Sequence, residues 1–114
     1  MLACSVEETV YALSFADVTD PARVGVALDE FGRAAQANLQ SQASASQPAA
    51  VTGMTPQAQA AQWRLSGRLP DGRAVQERMV LFSHGTHVYQ ATMLGARLDA
   101  EAQETFFGAL RVGP

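Results

Sequence analysis

The stretch AQWRLSGRLPDGRAVQERMVLFSHGTHVYQATML, residues 61–94 of a 114-residue chain, decides the fold. Between 61 and 69, Ala61, Trp63, Leu65 and Leu69 share one parity, and Gln62, Arg64, Ser66 and Arg68 the other. Side chains of a strand alternate between faces, so this period of two predicts a strand with one buried and one wet face. Pro70-Asp71-Gly72 then punctuates it: proline presets φ, and glycine supplies the positive φ of a turn. Arg73 to His84 predicts the next strand. In its second half Met79 and Leu81 oppose Val80 and Phe82, so both faces are apolar there. Gly85-Thr86 fits a two-residue hairpin with glycine at the first central position of a type II′ turn. His87 to Leu94 completes a three-strand antiparallel meander.

Upstream, Thr9 to Ala16 predicts another strand, rich in β-formers (Val10, Tyr11, Leu13, Phe15). Asp20-Pro21 is a helix start, an N-cap acceptor followed by proline in the first turn. Val24, Leu28, Phe31, Ala35 and Leu39 then recur at helical spacing and predict one apolar stripe to about Gln42. Gly25 and Gly32 weaken this helix, and close approach to the sheet would account for them. Ser41 to Ala50 predicts a frayed end and a loop, with a short edge strand over Val51 to Met54. Downstream, Asp99 caps a second helix, with a stripe of Leu98, Ala102, Phe106, Ala109 and Leu110. The expected fold class is therefore α+β: one domain over 1–114, in the order β-α-(β)-β-β-β-α, an antiparallel sheet flanked by two helices. Residues 1–8 are expected as a frayed end, on a chain trimmed from a longer protein.

Composition excludes several functions. The net charge is −3, which lacks the basic footprint of a nucleic-acid partner. No run of 18 apolar residues predicts a membrane span. Cys4 is the sole cysteine, so no intrachain disulfide forms. No export signal precedes it. The location is accordingly unassigned: periplasm or envelope for a trimmed chain, cytoplasm otherwise.

The segments Tyr11–Asp17, Gly67–Arg73 and Val88–Ala91, with Phe106-Phe107 on the last helix, resemble the PsbP/Mog1-like α/β/α sandwich proteins, in particular small bacterial exported or lipoprotein-type members. The resemblance implies helices flanking an antiparallel sheet and a binding or scaffolding role, and it supplies no catalytic residue. Members of that family have further strands ahead of the segment that begins here at Thr9. Missing strands leave an open edge, and an open edge invites pairing. The expected partner is a second copy of the chain.

The candidate site residues are few. His84 and His87 face each other across the hairpin and are the weak metal candidates, short of the third and fourth ligands zinc needs. Trp63, Arg64 and Tyr89 are the candidates for a ligand or interface surface. Arg64, Arg68 and Arg78 are expected as a solvated face offset by Glu77. No catalytic residue and no cofactor is expected, because Ser83 and His84 are adjacent on a strand and point to opposite faces. The function expected is a non-enzymatic binding or assembly module, homodimeric through a sheet edge or face. The alternative is a small-ligand carrier or enzyme with a cleft between sheet and helix.

Overall fold

The computed structural model describes residues 2–6, 9–39 and 46–112. Six strands form one antiparallel sheet in the order β1-β2-β6-β5-β4-β3. They are β1 (Leu2–Val6), β2 (Thr9–Asp17), β3 (Ser46–Pro48), β4 (Ala61–Arg68), β5 (Ala74–His84) and β6 (His87–Gly95). Two helices, α1 (Val24–Asn38) and α2 (Ala100–Gly108), complete the α+β fold.

The meander β4-β5-β6 stands where the alternation put it. Its hairpin turns at Gly85, whose φ of 61° is positive while Thr86 is not in the left-handed region, the pattern of a type II′ turn. Residues 79–83 of β5 are all buried, so cover is required on both sides of the sheet.

On one face lies α1. Its start follows from Asp20, whose carboxylate accepts from the Ala22 backbone N–H (2.9 Å), and from a 3₁₀ turn over Pro21–Arg23. Val24, Leu28, Ala35 and Leu39 pack on Leu65, Val75, Met79, Leu81 and Val88. On the other face α2 and the 49–54 loop meet Val80 and Phe82 through Phe107, Leu110 and Val51. Asp99 caps α2 by accepting from the Ala102 N–H (2.9 Å).

Several elements differ from expectation. Leu2–Val6, expected as a frayed end, is a strand in register with β2, Cys4 opposite Tyr11. The pair is local, between strands consecutive in the chain with Val6 opposite Thr9, and five uncharged residues are enough to extend the sheet. The edge strand expected at Val51–Met54 is instead β3, opposite Pro48↔Ala61 to Ser46↔Trp63; Thr52 makes only an isolated bridge to Arg111. The helix ends at Asn38 rather than Gln42; residues 40–45 lie outside the described ones, as does the close of the chain at Gly113-Pro114. On α2 the buried side chain is Gln103, with Phe107 beside it, while Ala109 is exposed. The helix is thus rotated toward the two arginines described below.

The end of α1 meets β4 at Gly67. The Leu39 carbonyl accepts from the Arg68 N–H (3.1 Å), and a Cβ on Gly67 would collide with that same carbonyl oxygen. Backbone cannot give way as a flexible side chain can. Gly32 is different: a Cβ there would sit 3.5 Å from Leu81 Cδ1 and 3.6 Å from the Trp63 ring nitrogen, ordinary contact distances. Close approach therefore does not demand glycine at 32. G67A is expected to lower stability by about 2 kcal/mol or more, whereas G32A raises it by about 0.5–1 kcal/mol through helix propensity. Urea denaturation of the two variants checks both signs.

Candidate functional site

Sheet parity assigns every candidate to a face. Trp63 stands on the α1 side, half-buried against Leu81 and the α1 core. Tyr89 stands on the α2 side, stacked on Phe82 with ring centroids 5.1 Å apart and planes 13° apart. The sheet separates them, so no one pocket contains both.

Arg64 is also on the α2 side, directly opposite Arg78 in the β4–β5 register. Like charges in that position repel. Gln103, projected from α2, resolves the conflict: its Oε1 accepts from Arg64 Nη1 and from Arg78 Nη1, each at 3.3 Å. Arg78 also donates to Gln62 Oε1 (3.3 Å) and lies 4.5 Å above the Phe107 ring. Burial, with Arg64 as the next cause, lowers the pKa of Arg78. Arg68 lies apart and donates to the Gly72 carbonyl (2.8 Å). Arg64 and Arg78 therefore help anchor α2, while Arg64 and Arg68 are exposed, as a solvated face requires, and Arg78 is half-buried. Glu77 offers no offset, because its odd position puts it on the opposite face.

His84 and His87 are register partners at the hairpin, as their spacing predicts. Each has its own contact. His84 Nδ1 lies 3.0 Å from the Gly53 carbonyl, and His87 Nε2 lies 3.6 Å from Asp17 Oδ2. Asp17 reaches His87 across β2–β6, a juxtaposition that sequence separation concealed. Its Oδ1 accepts from the Thr19 N–H and the Thr86 hydroxyl, both at 2.8 Å. Those bonds, the Thr19 one foremost, hold its pKa below the ordinary carboxylate value. No group of three metal-ligating side chains occurs among the described residues.

Glu77 emerges as the residue that sequence reasoning placed wrongly. It projects from β5 between Leu65 on β4 and Leu94 on β6, under the C-terminal half of α1. A cleft of about 410 Å³ opens there, walled by Phe31, Ala35, Leu39 and Leu94, with Glu77 and Gln90 on its floor. The Oε1 atom of Glu77 is buried without a hydrogen-bond partner. Burial alone pushes its pKa up to about 7. A second cleft of about 410 Å³ flanks the other side of α1 with Trp63 on its wall. A wider depression, about 830 Å³, runs along residues 46–61 and has no titratable side chain in its lining. Volume alone does not make a site, and polar groups converging on an apolar wall distinguish the Glu77 cleft.

A further groove of about 540 Å³ lies between α2 and the β1–β2 edge. Cys4 and Tyr11 form its floor and Phe106 its side, with the Tyr11 and Phe106 rings edge to face at 5.3 Å. Beside it runs the outer edge of β1.

No family model, curated protein or solved structure matches the chain.

The raised pKa of Glu77 carries a sign for stability. Folded and unfolded chains are both protonated below about pH 4.5; as pH rises, the unfolded chain ionises first and gains. Stability from this group is therefore lost between about pH 4.5 and about 7. The full loss is about 3 kcal/mol above pH 7. E77Q, neutral at every pH, is expected to equal the wild type near pH 4 and exceed its stability by about 2–3 kcal/mol near pH 8. Urea midpoints across that range provide the measurement. Lower stability of E77Q at alkaline pH would contradict the assignment.

Proposed function

We propose that this chain is a non-enzymatic assembly module that pairs with a second copy of itself through the open edge of β1. The observation that carries the reading is the contrast between the two sheet edges. At one end β3 is three residues long and contains Pro48, features that blunt an edge against pairing. At the other, β1 is five residues, Leu-Ala-Cys-Ser-Val, without charge or proline. Both faces of the sheet already carry a helix, which leaves an edge as the surface for a partner strand.

The strand is suited to self-pairing. An antiparallel arrangement about a two-fold axis through Cys4 sets Ala3 against Ser5 of the partner and Leu2 against Val6 of the partner. Ala3, Cys4 and Ser5 are exposed. The α2-side groove with Tyr11 and Phe106 continues beside the seam. Phe15, 53 % exposed, stands on the same flank where β2 outruns β1. A kinship with PsbP/Mog1-like sandwiches belongs to the same proposal; its support is the layering of helix, antiparallel sheet and helix.

The test uses the two-fold register. Cα atoms paired across antiparallel strands lie about 4.5–5.5 Å apart, inside the range of about 4.4–6.8 Å that a disulfide spans. Oxidation with copper phenanthroline is expected to link the sole cysteine, Cys4, to its counterpart in a covalent dimer. Light scattering of the reduced chain is expected to give twice the monomer mass. A3K/S5K places lysine against lysine across the seam and returns the mass to the monomer value; A3E/S5K restores the dimer. A monomer mass for the wild type at micromolar concentrations overturns the reading.

A further inference from the structure

We propose that the cleft between the C-terminal half of α1 and the sheet binds a small organic cation, an ammonium or amidinium group on a short apolar tail, with the Glu77 carboxylate as its counter-ion. The site is independent of the β1 edge, from which it takes no residue.

Four features specify this ligand. The first is an acceptor without a donor. Glu77 Oε1 is buried and unpartnered, and a carboxylate so placed is costly until a donor reaches it. The second is the absence of an internal cation. Among the described residues that line the cleft, from α1, from the β4–β5 turn and from β5 and β6, Glu77 is the sole titratable one. The nearest arginine along the strand, Arg78, faces the other side of the sheet, where Gln103 and Gln62 hold it.

The third feature is the remaining polar lining, two neutral side-chain amides whose oxygens can accept and which add no positive charge. Gln90 commits one amide N–H to Met79 Sδ (2.8 Å), which leaves its carbonyl oxygen and a second N–H to offer. Asn38 stands at the wall where α1 ends, and that end of the helix has no basic residue in its last turn. The negative end of the helix dipole favours a cation there. The fourth is the apolar wall of Phe31, Ala35, Leu39 and Leu94, which rewards a tail and gives a fully hydrated ion nothing to exchange its water for. The volume, about 410 Å³, falls in the range of about 300–1,000 Å³ typical of small-molecule sites. A metal ion is disfavoured by the donor count: one carboxylate and two amides do not make the ligand set that a hard cation takes.

An arriving ammonium favours the ionised carboxylate, so binding below the raised pKa of Glu77 releases a proton and weakens as pH falls.

Isothermal titration of the wild-type chain with hexylammonium chloride, 1-hexanol and sodium hexanoate tests the proposal near pH 8. Hexylammonium is expected to bind saturably with one site per chain, and hexanol and hexanoate more weakly, hexanoate weakest. E77Q is expected to weaken hexylammonium by about tenfold or more. Its folded state is expected to be the more stable one, so that loss cannot come from unfolding. A34F, which changes an exposed α1 residue on the cleft wall, is expected to block all three probes. A3K/S5K is expected to bind as the wild type does, which separates this site from the edge. Three results overturn the proposal: no saturable hexylammonium binding by the folded wild type, equal binding by E77Q, or hexanoate binding as tightly as hexylammonium.

Discussion

Residues 79–83 of β5, Met-Val-Leu-Phe-Ser, are buried on both sides of the sheet at once, and the rest of the molecule follows from covering them. Each large aliphatic or aromatic side chain removed from water contributes about 1.5–3 kcal/mol. A strand apolar on both faces therefore makes a half-bare sheet unstable. Met79 and Leu81 require α1; Val80 and Phe82 require α2 and the 49–54 loop. The meander supplies neighbours on both sides of β5, and β2 extends the sheet past β6, so this strand lies inside the sheet as well as between the layers.

The two covers are unequal, and the functional features arise from that inequality. α1 has fifteen residues and a continuous stripe, with Leu28 entirely buried at its centre. It nevertheless crosses a sheet wider than itself, which leaves a cleft on either side. One of them exposes the position where β5 places glutamate between two leucines. α2 has nine residues and buries a glutamine rather than a leucine. Its grip on the sheet is partly polar, two guanidinium groups converging on the Gln103 oxygen. The helix meets the β1–β2 corner through Phe106 on Tyr11, and a groove remains open between them beside Cys4.

Local signals predicted the elements that local physics determines. Asp20, Asp99, the Pro70-Asp71-Gly72 turn and Gly85 each act within a few residues, and each stands where the chain pattern placed it. Period-two alternation also carried the face of every strand residue, so Arg64 and Arg78 on one side and Glu77 on the other were legible. Treating Glu77 as an offset to the arginines neglected that parity. The hidden features are one short-range strand pair and several contacts between distant segments. Leu2–Val6 pairs with the strand that directly follows it, Val6 opposite Thr9, and its five residues carry no clear period of two that would announce a strand. Nothing near His87 announces Asp17, which reaches it across the sheet. The face that α2 presents was obscured because Gln103 reads as polar surface until the opposed arginines supply its partners.

Glu77 shows how far such reasoning extends toward function. Leucine at this place would spare the fold an unpartnered buried acceptor, glutamine would spare it a buried charge, and the neighbouring wall is already apolar. Stability alone therefore does not account for the carboxylate. Residues that break a local rule without a compensating contact concentrate where binding or catalysis supplies the compensation from outside the chain. The arginine pair on the other face is compensated in part within the molecule: Gln103 accepts from both guanidinium groups and Gln62 from Arg78, although Arg78 Nε stays buried without a partner. Beneath α1, no residue of the described chain partners Glu77 Oε1, so the missing partner is a donor that arrives from solution.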